Sequence, residues 1–211
     1  MIPSPLKLGF LASKNGTGMR AIVTAIEAGA LAAGARLLIT NRRDAPALEF
    51  AARHGVPTRV IPTISDPAAA DAALAEALQA AGVEIVVLSG YLRQLGPKTL
   101  GAYENRILNV HPSLLPKFGG PGMYGRRVHE AVAAAGDRVS GASVHLVDAE
   151  YDQGPVIASV QTPLAPGDDA ETIEAKVTAL EGALLVETLR RISEGALRLP
   201  ETKRRISDNL P

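Results

Sequence analysis

Short apolar runs alternate with amphipathic segments through the first half of the chain. Each run is only a few residues long and is bounded by glycine, proline or polar residues, which is typical of a buried strand. In the segments between them, apolar side chains recur every three or four positions, which predicts helices. The predicted strands cover residues 6–12, 35–40, 58–61 and 85–88, and the predicted helices cover residues 19–28, 46–54 and 66–81. This alternation predicts an α/β fold, a Rossmann-like, mostly parallel twisted sheet with helices on both faces.

The second half of the chain has the same kinds of element, separated by longer loops. Strands are predicted at residues 107–110, 143–147 and 156–160, and helices at residues 124–135 and 170–192. A loop rich in proline and glycine follows the first of these strands, and an acidic loop separates the other two. We expect one domain over residues 1–199, followed by a polar C-terminal tail over residues 200–211.

The composition of the chain indicates which kinds of ligand or partner it can bind. The 211 residues carry 22 basic and 22 acidic side chains, so the formal net charge is zero, and cysteine is absent. Without a basic excess or an apolar run of about 18 residues, the chain is expected to bind small molecules rather than nucleic acid or a membrane. No signal-peptide pattern opens the chain, so we expect a cytoplasmic protein, either a monomer or a homodimer. No cysteine or histidine cluster has metal-ligand spacing, so no metal is expected. The short basic clusters at residues 42–43 and 203–205 are expected on solvated surface.

The first candidate for chemistry is the end of the strand at residues 107–110. Asn109 and His111 point to the same side, because side chains alternate along a strand. Ligands of parallel sheets bind at the carboxyl ends of strands, and an amide beside an imidazole can stabilise a developing oxyanion. Histidine also exchanges protons near neutral pH. The same two residues equally fit an asparagine that caps a turn beside a hydrogen-bonded histidine.

The acidic loop is the second candidate. It contains Asp148, Glu150 and Asp152. A carboxylate next to an imidazolium stabilises the charged ring, raises its pKa and fixes its orientation. Acidic residues are also common in turns between strands, so the loop alone does not establish a role for them.

A glycine-bearing loop at residues 13–18 precedes the first predicted helix. Free backbone N–H groups at a helix start can bind an anion, and glycine lets the anion approach closely. A tight strand-to-helix turn without a ligand fits the same pattern. The remaining histidines, His54, His129 and His145, are predicted to have structural or surface roles.

Four stretches carry a resemblance to a known family. They are NVHPSLLP (109–116), SGASVHLVDAEYDQGPVI (140–157), LASKNGTGMRAI (11–22) and VVLSGYLRQL (86–95). Together they resemble the folate-dependent formyltransferases over about residues 6–195. The resemblance implies transfer of a formyl group from 10-formyltetrahydrofolate, a co-substrate rather than a tightly bound cofactor, to the amine of phosphoribosylglycinamide in de novo purine (IMP) biosynthesis.

The resemblance also implies roles for individual residues. Asn109 would donate to the formyl oxygen, His111 would be the general acid, and Asp152 would keep His111 protonated and oriented. The residues implied to bind the ribonucleotide are Gly16, Thr17, Gly18 and Glu181. The residues implied to bind the folate are Leu92, Arg93, Gln94, Leu95, Asn109, Asp148, Ala149, Glu150, Tyr151 and Asp152.

The chain departs from the family pattern mainly on the acceptor side. Lys14 stands where glycine is usual, Gly18 where asparagine is usual, and Gly182 where histidine is usual. Ala68 lies close to the place of a usual arginine, and the loop at residues 119–125 is longer. The reaction is therefore better defined by the resemblance than the amine acceptor is.

Four alternatives stay open. The first is a formyltransferase for another amine, such as an amino sugar nucleotide. The second is a formyltetrahydrofolate hydrolase, which carries a regulatory domain that would not fit before Leu6. The third is a methionyl-tRNA formyltransferase, whose tRNA-binding domain would not fit after Gly195. The fourth is a catalytically silent nucleotide-binding module, which the presence of Asn109, His111 and Asp152 disfavours.

Overall fold

The computed structural model of the chain describes residues 4–202, and its strands form a single seven-stranded sheet in the order β3-β2-β1-β4-β5-β6-β7. The strands are β1 (Leu6–Ala12), β2 (Ala33–Thr40), β3 (Thr58–Val60), β4 (Ile85–Leu88), β5 (Ile107–His111), β6 (Val139–Leu146) and β7 (Val156–Pro163). The helices are α1 (Thr17–Glu27), α2 (Pro46–Arg53), α3 (Pro67–Ala80), α4 (Pro97–Ala102), α5 (Arg126–Ala135) and α6 (Ala170–Ser193).

The sheet is mostly parallel, as the alternation of strands and helices predicted. β1 to β5 pair in parallel, whereas β6 pairs antiparallel with β5 and β7 pairs antiparallel with β6. The carboxyl ends of β1, β4 and β5 therefore meet at one edge of the sheet. The loops after these strands, which carry the candidate residues, lie at that edge.

Apolar side chains cover both faces of the sheet. Alternate residues of β1 separate into two cores: Leu8 and Phe10 pack into one, and Leu11 packs into the other. The first core includes residues of α1, α2, α5 and α6, and the second includes residues of α3. This division follows from the period of two along a strand and confirms helices on both faces.

Helix α4 was not predicted from the sequence. It has only six residues, so no helical periodicity can develop, and Pro97 occupies its first turn. The buried carboxylate of Asp71, on α3, accepts from the backbone N–H groups of Lys98 (2.8 Å) and Thr99 (3.0 Å). The helix therefore depends on a cap that comes from a distant segment, which local sequence does not reveal.

The two antiparallel strands are longer than predicted. β6 begins at Val139 rather than at residue 143, and β7 extends to Pro163 rather than ending at residue 160. Polar and small residues fill the additional positions, such as Ser140 opposite Thr162. Cross-strand pairing sets the length here, so hydrophobic periodicity underestimated it.

The predicted tail begins as a segment packed on the surface. Arg106 donates from Nη1 to the carbonyl of Pro200 (2.8 Å), and Asn105 donates from Nδ2 to the carbonyl of Glu201 (3.1 Å). The rest of the predicted tail, including the basic cluster at residues 203–205, lies outside the described residues. Within residues 4–202, no helix is both long enough and apolar enough to cross a membrane.

We expect Gly141→Ala to destabilise the fold. A Cβ atom at Gly141 would lie 1.9 Å from the carbonyl oxygen of Val160, so the β6–β7 pair would have to separate. The free energy of unfolding in urea should fall by about 3 kcal/mol, the upper part of the range for overpacking. Gly34→Ala is the matched control, because the one heavy atom near a Cβ there is the Arg36 Nε at 3.7 Å. An equal loss in both variants would contradict this account.

Candidate active site

Four polar side chains meet at the carboxyl end of β5. The strand carries Asn109 and His111, and the antiparallel register places His145 of β6 opposite Asn109. The loop that follows β6 then returns Asp152 to the same place, 3.4 Å from His111 and 3.5 Å from His145. Both histidines are buried: His111 is 3% exposed and His145 is 2% exposed. The fold therefore brings the three predicted catalytic residues together and adds His145 to them.

The His111 ring has a neighbour at each nitrogen. Its Nε2–H donates to the carbonyl of Phe118 at 2.8 Å, and its Nδ1 lies 3.4 Å from Asp152 Oδ2. A proton added to Nδ1 would therefore face a carboxylate. In this conformation the Nε2–H is already bonded to the loop after β5. A substrate oxygen can accept from that nitrogen only if it replaces the Phe118 carbonyl.

Asp152 is held in an unusual backbone conformation. Its φ of 57° lies in the left-handed region, which aspartate tolerates better than most residues. Its Oδ2 accepts from the backbone N–H of Gly120 at 3.0 Å. Burial acts to raise the pKa of Asp152, but the neighbouring His145 ring, the Gly120 N–H and the neighbouring His111 ring hold that pKa below its ordinary value. Asp152 is therefore ionised at neutral pH.

Two opposing effects set the pKa of His111. Burial lowers the pKa, and it outweighs the opposing effects of Asp152 and the Phe118 carbonyl. Asp152 acts in the predicted direction, but burial leaves the pKa below its ordinary value, and the role of Asp152 in keeping His111 protonated stays a prediction. Burial of the ring could not be read from the sequence, and it decides the balance.

His145 fixes the orientation of Asn109. The Asn109 amide nitrogen donates to His145 Nε2 at 3.1 Å, and His145 Nδ1–H donates to the carbonyl of Leu146 at 3.1 Å. This contact leaves the second N–H of the Asn109 amide for another acceptor. The contact of His145 with Asn109 could not be predicted from local spacing, because it depends on the cross-strand register; the sequence predicted only a structural or surface role.

A cleft beside this cluster contains most of the predicted folate-binding residues. Its lining residues are Leu88, Tyr91, Arg93, Gln94, Leu95, Asn109, His145, Val147, Asp148, Ala149, Glu150, Tyr151 and Asp152. Gln94 bridges its two sides by donating from Nε2 to the carbonyl of Ala149 at 3.1 Å. Leu92 lies outside this lining and is 52% exposed. A larger cavity of about 310 Å³ lies elsewhere, between the end of α5 and the start of α6, and none of the four clustered residues lines it.

The loop at residues 13–18 forms the start of α1, two residues before the predicted start. Gly16 adopts a left-handed conformation with φ 62°, and its carbonyl accepts from the Arg20 N–H at 2.9 Å. The Met19 N–H donates to Ser89 Oγ at 2.9 Å. Within the part of the chain that the structure describes, the N–H groups of Thr17 and Gly18 have no protein acceptor. Free N–H groups at a helix start favour an anion.

Two of the four atypical residues, both glycines, lie where α1 and α6 cross. A Cβ at Gly18 would be 2.7 Å from Leu185 Cδ1, and a Cβ at Gly182 would be 2.9 Å from Ala21 Cβ. Side chains at these positions would therefore separate the helices. The other two atypical residues, Lys14 and Ala68, are exposed.

Glu181 lies next to this crossing, with Glu174 on the same helix. Burial, followed by repulsion from Glu174, raises the pKa of Glu181 to about 7. The carboxyl is thus poised to change charge near neutral pH. Helix α1, which begins at the loop of residues 13–18, packs against α6, which carries Glu181.

The two remaining histidines differ from each other. His54 lies partly exposed, with Nδ1 2.8 Å from Glu27 Oε1, as a surface role requires. His129 on α5 is 2% exposed, and among the described residues its Nδ1 has no hydrogen-bond partner. Within residues 4–202, no group of three or more histidine or acidic side chains is arranged to hold a metal ion.

Comparison with known proteins places this geometry in a family. The model of the family described as formyl transferase matches residues 6–189. The chloroplastic phosphoribosylglycinamide formyltransferase of Vigna unguiculata is 36% identical over 190 residues, which are 89% of this chain and 61% of that protein. The phosphoribosylglycinamide formyltransferase of Escherichia coli strain K12 is 33% identical over 193 residues, 90% of this chain and 89% of that protein.

A solved structure supports the same assignment. The phosphoribosylglycinamide formyltransferase of Coxiella burnetii is 35% identical, with a TM-score of 0.85 over 94% of this chain and 92% of that one. The family match covers β1 to β7 and most of α6, and so includes every residue of the polar cluster. This chain therefore belongs to the formyl transferase family.

Proposed function

We propose that this protein transfers the formyl group of 10-formyltetrahydrofolate to the amine of phosphoribosylglycinamide, a step of de novo purine (IMP) biosynthesis. The observation that carries the proposal is the buried, ionised Asp152 next to His111, with Asn109 beside them. Oxyanion stabilisation and proton transfer by this group are the chemistry that formyl transfer needs. The names of the Vigna and Escherichia relatives support the acceptor.

The reaction we propose is a direct acyl transfer. The lone pair of the acceptor amine forms a bond to the formyl carbon, and the carbonyl π electrons move to oxygen. The free N–H of the Asn109 amide donates to that oxygen, and His111 donates beside it. The bond from the formyl carbon to the folate nitrogen then breaks, the folate nitrogen takes a proton, and the acceptor nitrogen loses one. The products are the N-formylated nucleotide and tetrahydrofolate.

Asp152 and burial have opposing effects on His111 in this scheme. Burial keeps the ring mainly neutral before substrates bind. As negative charge develops on the formyl oxygen, protonation of His111 becomes more favourable, and Asp152 stabilises the imidazolium through Nδ1. The ring therefore gains its charge when the transition state needs it.

The two substrates occupy opposite sides of the cluster in this proposal. The acceptor phosphate binds at Gly16, Thr17 and Gly18, where N–H groups are free, and Glu181 accepts from the ribose hydroxyls. The folate binds as a co-substrate in the cleft between residues 91–95 and 148–152. A monomeric or homodimeric enzyme stays a prediction.

His111→Ala should lower kcat by roughly 10²- to 10⁴-fold, the usual effect of losing a general acid. His54→Ala is the matched control, because that ring is partly exposed and pairs with Glu27 on the surface. Steady-state formyl transfer, with circular dichroism to verify folding, measures the effect. Near-normal turnover in a folded His111→Ala variant would exclude the assigned role.

Asp152→Asn should lower the pKa of His111 further, because it removes the negative charge that opposes burial. NMR titration of the ring measures this pKa directly. Glu150→Gln is the control, because it removes a carboxylate from the same loop and should leave the His111 pKa unchanged. An unchanged or raised pKa in Asp152→Asn would show that Asp152 is only a turn residue.

The acceptor assignment is tested by removing the phosphate. Glycinamide riboside should be a far poorer substrate than the phosphorylated compound, whereas KM for the folate should change little. Equal use of both acceptors would exclude the purine-pathway assignment and leave formyl transfer intact.

The pH dependence of KM for the nucleotide tests the role of Glu181. Because its pKa is about 7, Glu181 becomes ionised as pH rises through that value, and a carboxylate accepts more strongly than a carboxylic acid. KM for the nucleotide should therefore fall between about pH 6 and pH 8. Glu181→Gln should raise that KM and flatten this dependence, with KM for the folate as the internal control. A pH dependence that persists in Glu181→Gln would contradict the role.

A further inference from the structure

We propose that the Ser13 hydroxyl couples the two substrate sites, so that the bound nucleotide strengthens folate binding and the bound folate strengthens nucleotide binding. The inference rests on the proposed function and adds a positioning residue to it. The nucleotide loop is defined here as residues 13–18, and the folate loop as residues 90–96. The two loops follow neighbouring strands, β1 and β4, at the same edge of the sheet.

Ser13 belongs to the nucleotide loop but is bonded to the folate loop. Its Oγ accepts from the backbone N–H of Leu92 at 2.9 Å, and its own N–H donates to the carbonyl of Gly90 at 3.1 Å. The residue is 1% exposed. Because the link is buried, water does not readily replace it, and the two loops cannot move independently near Leu92.

The acidic loop and helix α3 supply the other anchors of the folate loop. Gln94 donates to the carbonyl of Ala149 in the acidic loop. The Asp71 carboxylate packs directly against Gly96 and caps α4. Leu92 precedes both anchors and is exposed, as are Arg93 and Gln94. The side chain that holds the Leu92 backbone is therefore supplied by the nucleotide loop.

This arrangement gives positive coupling by a physical route. A phosphate on the N–H groups of Thr17 and Gly18 restricts the nucleotide loop, and through Ser13 it restricts the backbone of Leu92. Folate that binds afterwards has less conformational entropy to lose, so its affinity rises. Thermodynamic linkage requires the reciprocal effect to have the same size.

The link from Ser89 to Met19 does not replace this function. Ser89 Oγ accepts from the Met19 N–H at 2.9 Å, within the first turn of α1. That contact fixes the start of the helix to the end of β4, and it does not reach Leu92. The backbone bond from Ser13 to Gly90 likewise ends two residues before Leu92, so removal of Ser13 Oγ alone should uncouple Leu92 from the nucleotide loop.

Calorimetry with tetrahydrofolate and phosphoribosylglycinamide tests the proposal, because this pair lacks a formyl group and cannot react. In the wild-type protein, saturating nucleotide should lower the Kd of tetrahydrofolate by about fivefold, the effect of one neutral hydrogen bond. In Ser13→Ala the ratio should fall close to one. Ser140→Ala is the matched control, because that serine is also buried, at 3% exposure, and its Oγ has no hydrogen-bond partner within residues 4–202.

A second measurement needs no variant. Glycinamide riboside lacks the phosphate that engages the nucleotide loop, so saturating riboside should leave the Kd of tetrahydrofolate unchanged in the wild-type protein. The proposal is overturned if the riboside tightens folate binding as much as the nucleotide does, or if Ser13→Ala keeps the wild-type ratio. Failure of the nucleotide to bind by itself would instead contradict the proposed function.

Discussion

One buried carboxylate organises the candidate active site. Asp152 lies within 3.5 Å of both His111 and His145, and the Gly120 N–H holds one of its oxygens. An ionised group at this depth is stable only because these partners compensate for its lost hydration. The orientation of each imidazole, and through His145 that of Asn109, depends on this charge. Any change in the position of Asp152 would therefore alter both groups that are proposed to face the formyl oxygen, Asn109 and His111.

The position of that carboxylate depends in turn on the two antiparallel strands. β6 places His145 opposite Asn109, and the loop between β6 and β7 returns Asp152 with its φ of 57°. At the end of this loop, a Cβ at Gly154 would lie 1.8 Å from the carbonyl oxygen of Leu146, so only glycine permits the close return. The parallel half of the sheet supplies the edge, and the antiparallel half completes the site. The loop between β6 and β7 therefore links the fold of the sheet to the position of Asp152.

Local patterns predicted the elements of the sheet well and the interactions between them poorly. The strand at residues 85–88 was identified from its apolar run alone, because a buried central strand has a simple signature. Helix α4, the role of His145 and the fit of Gly18 against Leu185 all depend on contacts between distant segments. The low pKa of His111 depends on burial, which also emerges only on folding. The resemblance located the cluster at Asn109, but it did not reveal how the groups are connected.

The fate of the formyl carbon is the most direct test of the account. 10-Formyltetrahydrofolate labelled with ¹³C at the formyl group is mixed with the protein and phosphoribosylglycinamide, and the label is followed by NMR. We predict that the label appears as the formamide of the nucleotide, in equal amount to the tetrahydrofolate released and without free formate. Formate released at the same rate with or without the nucleotide would show that water is the acceptor and would contradict the account.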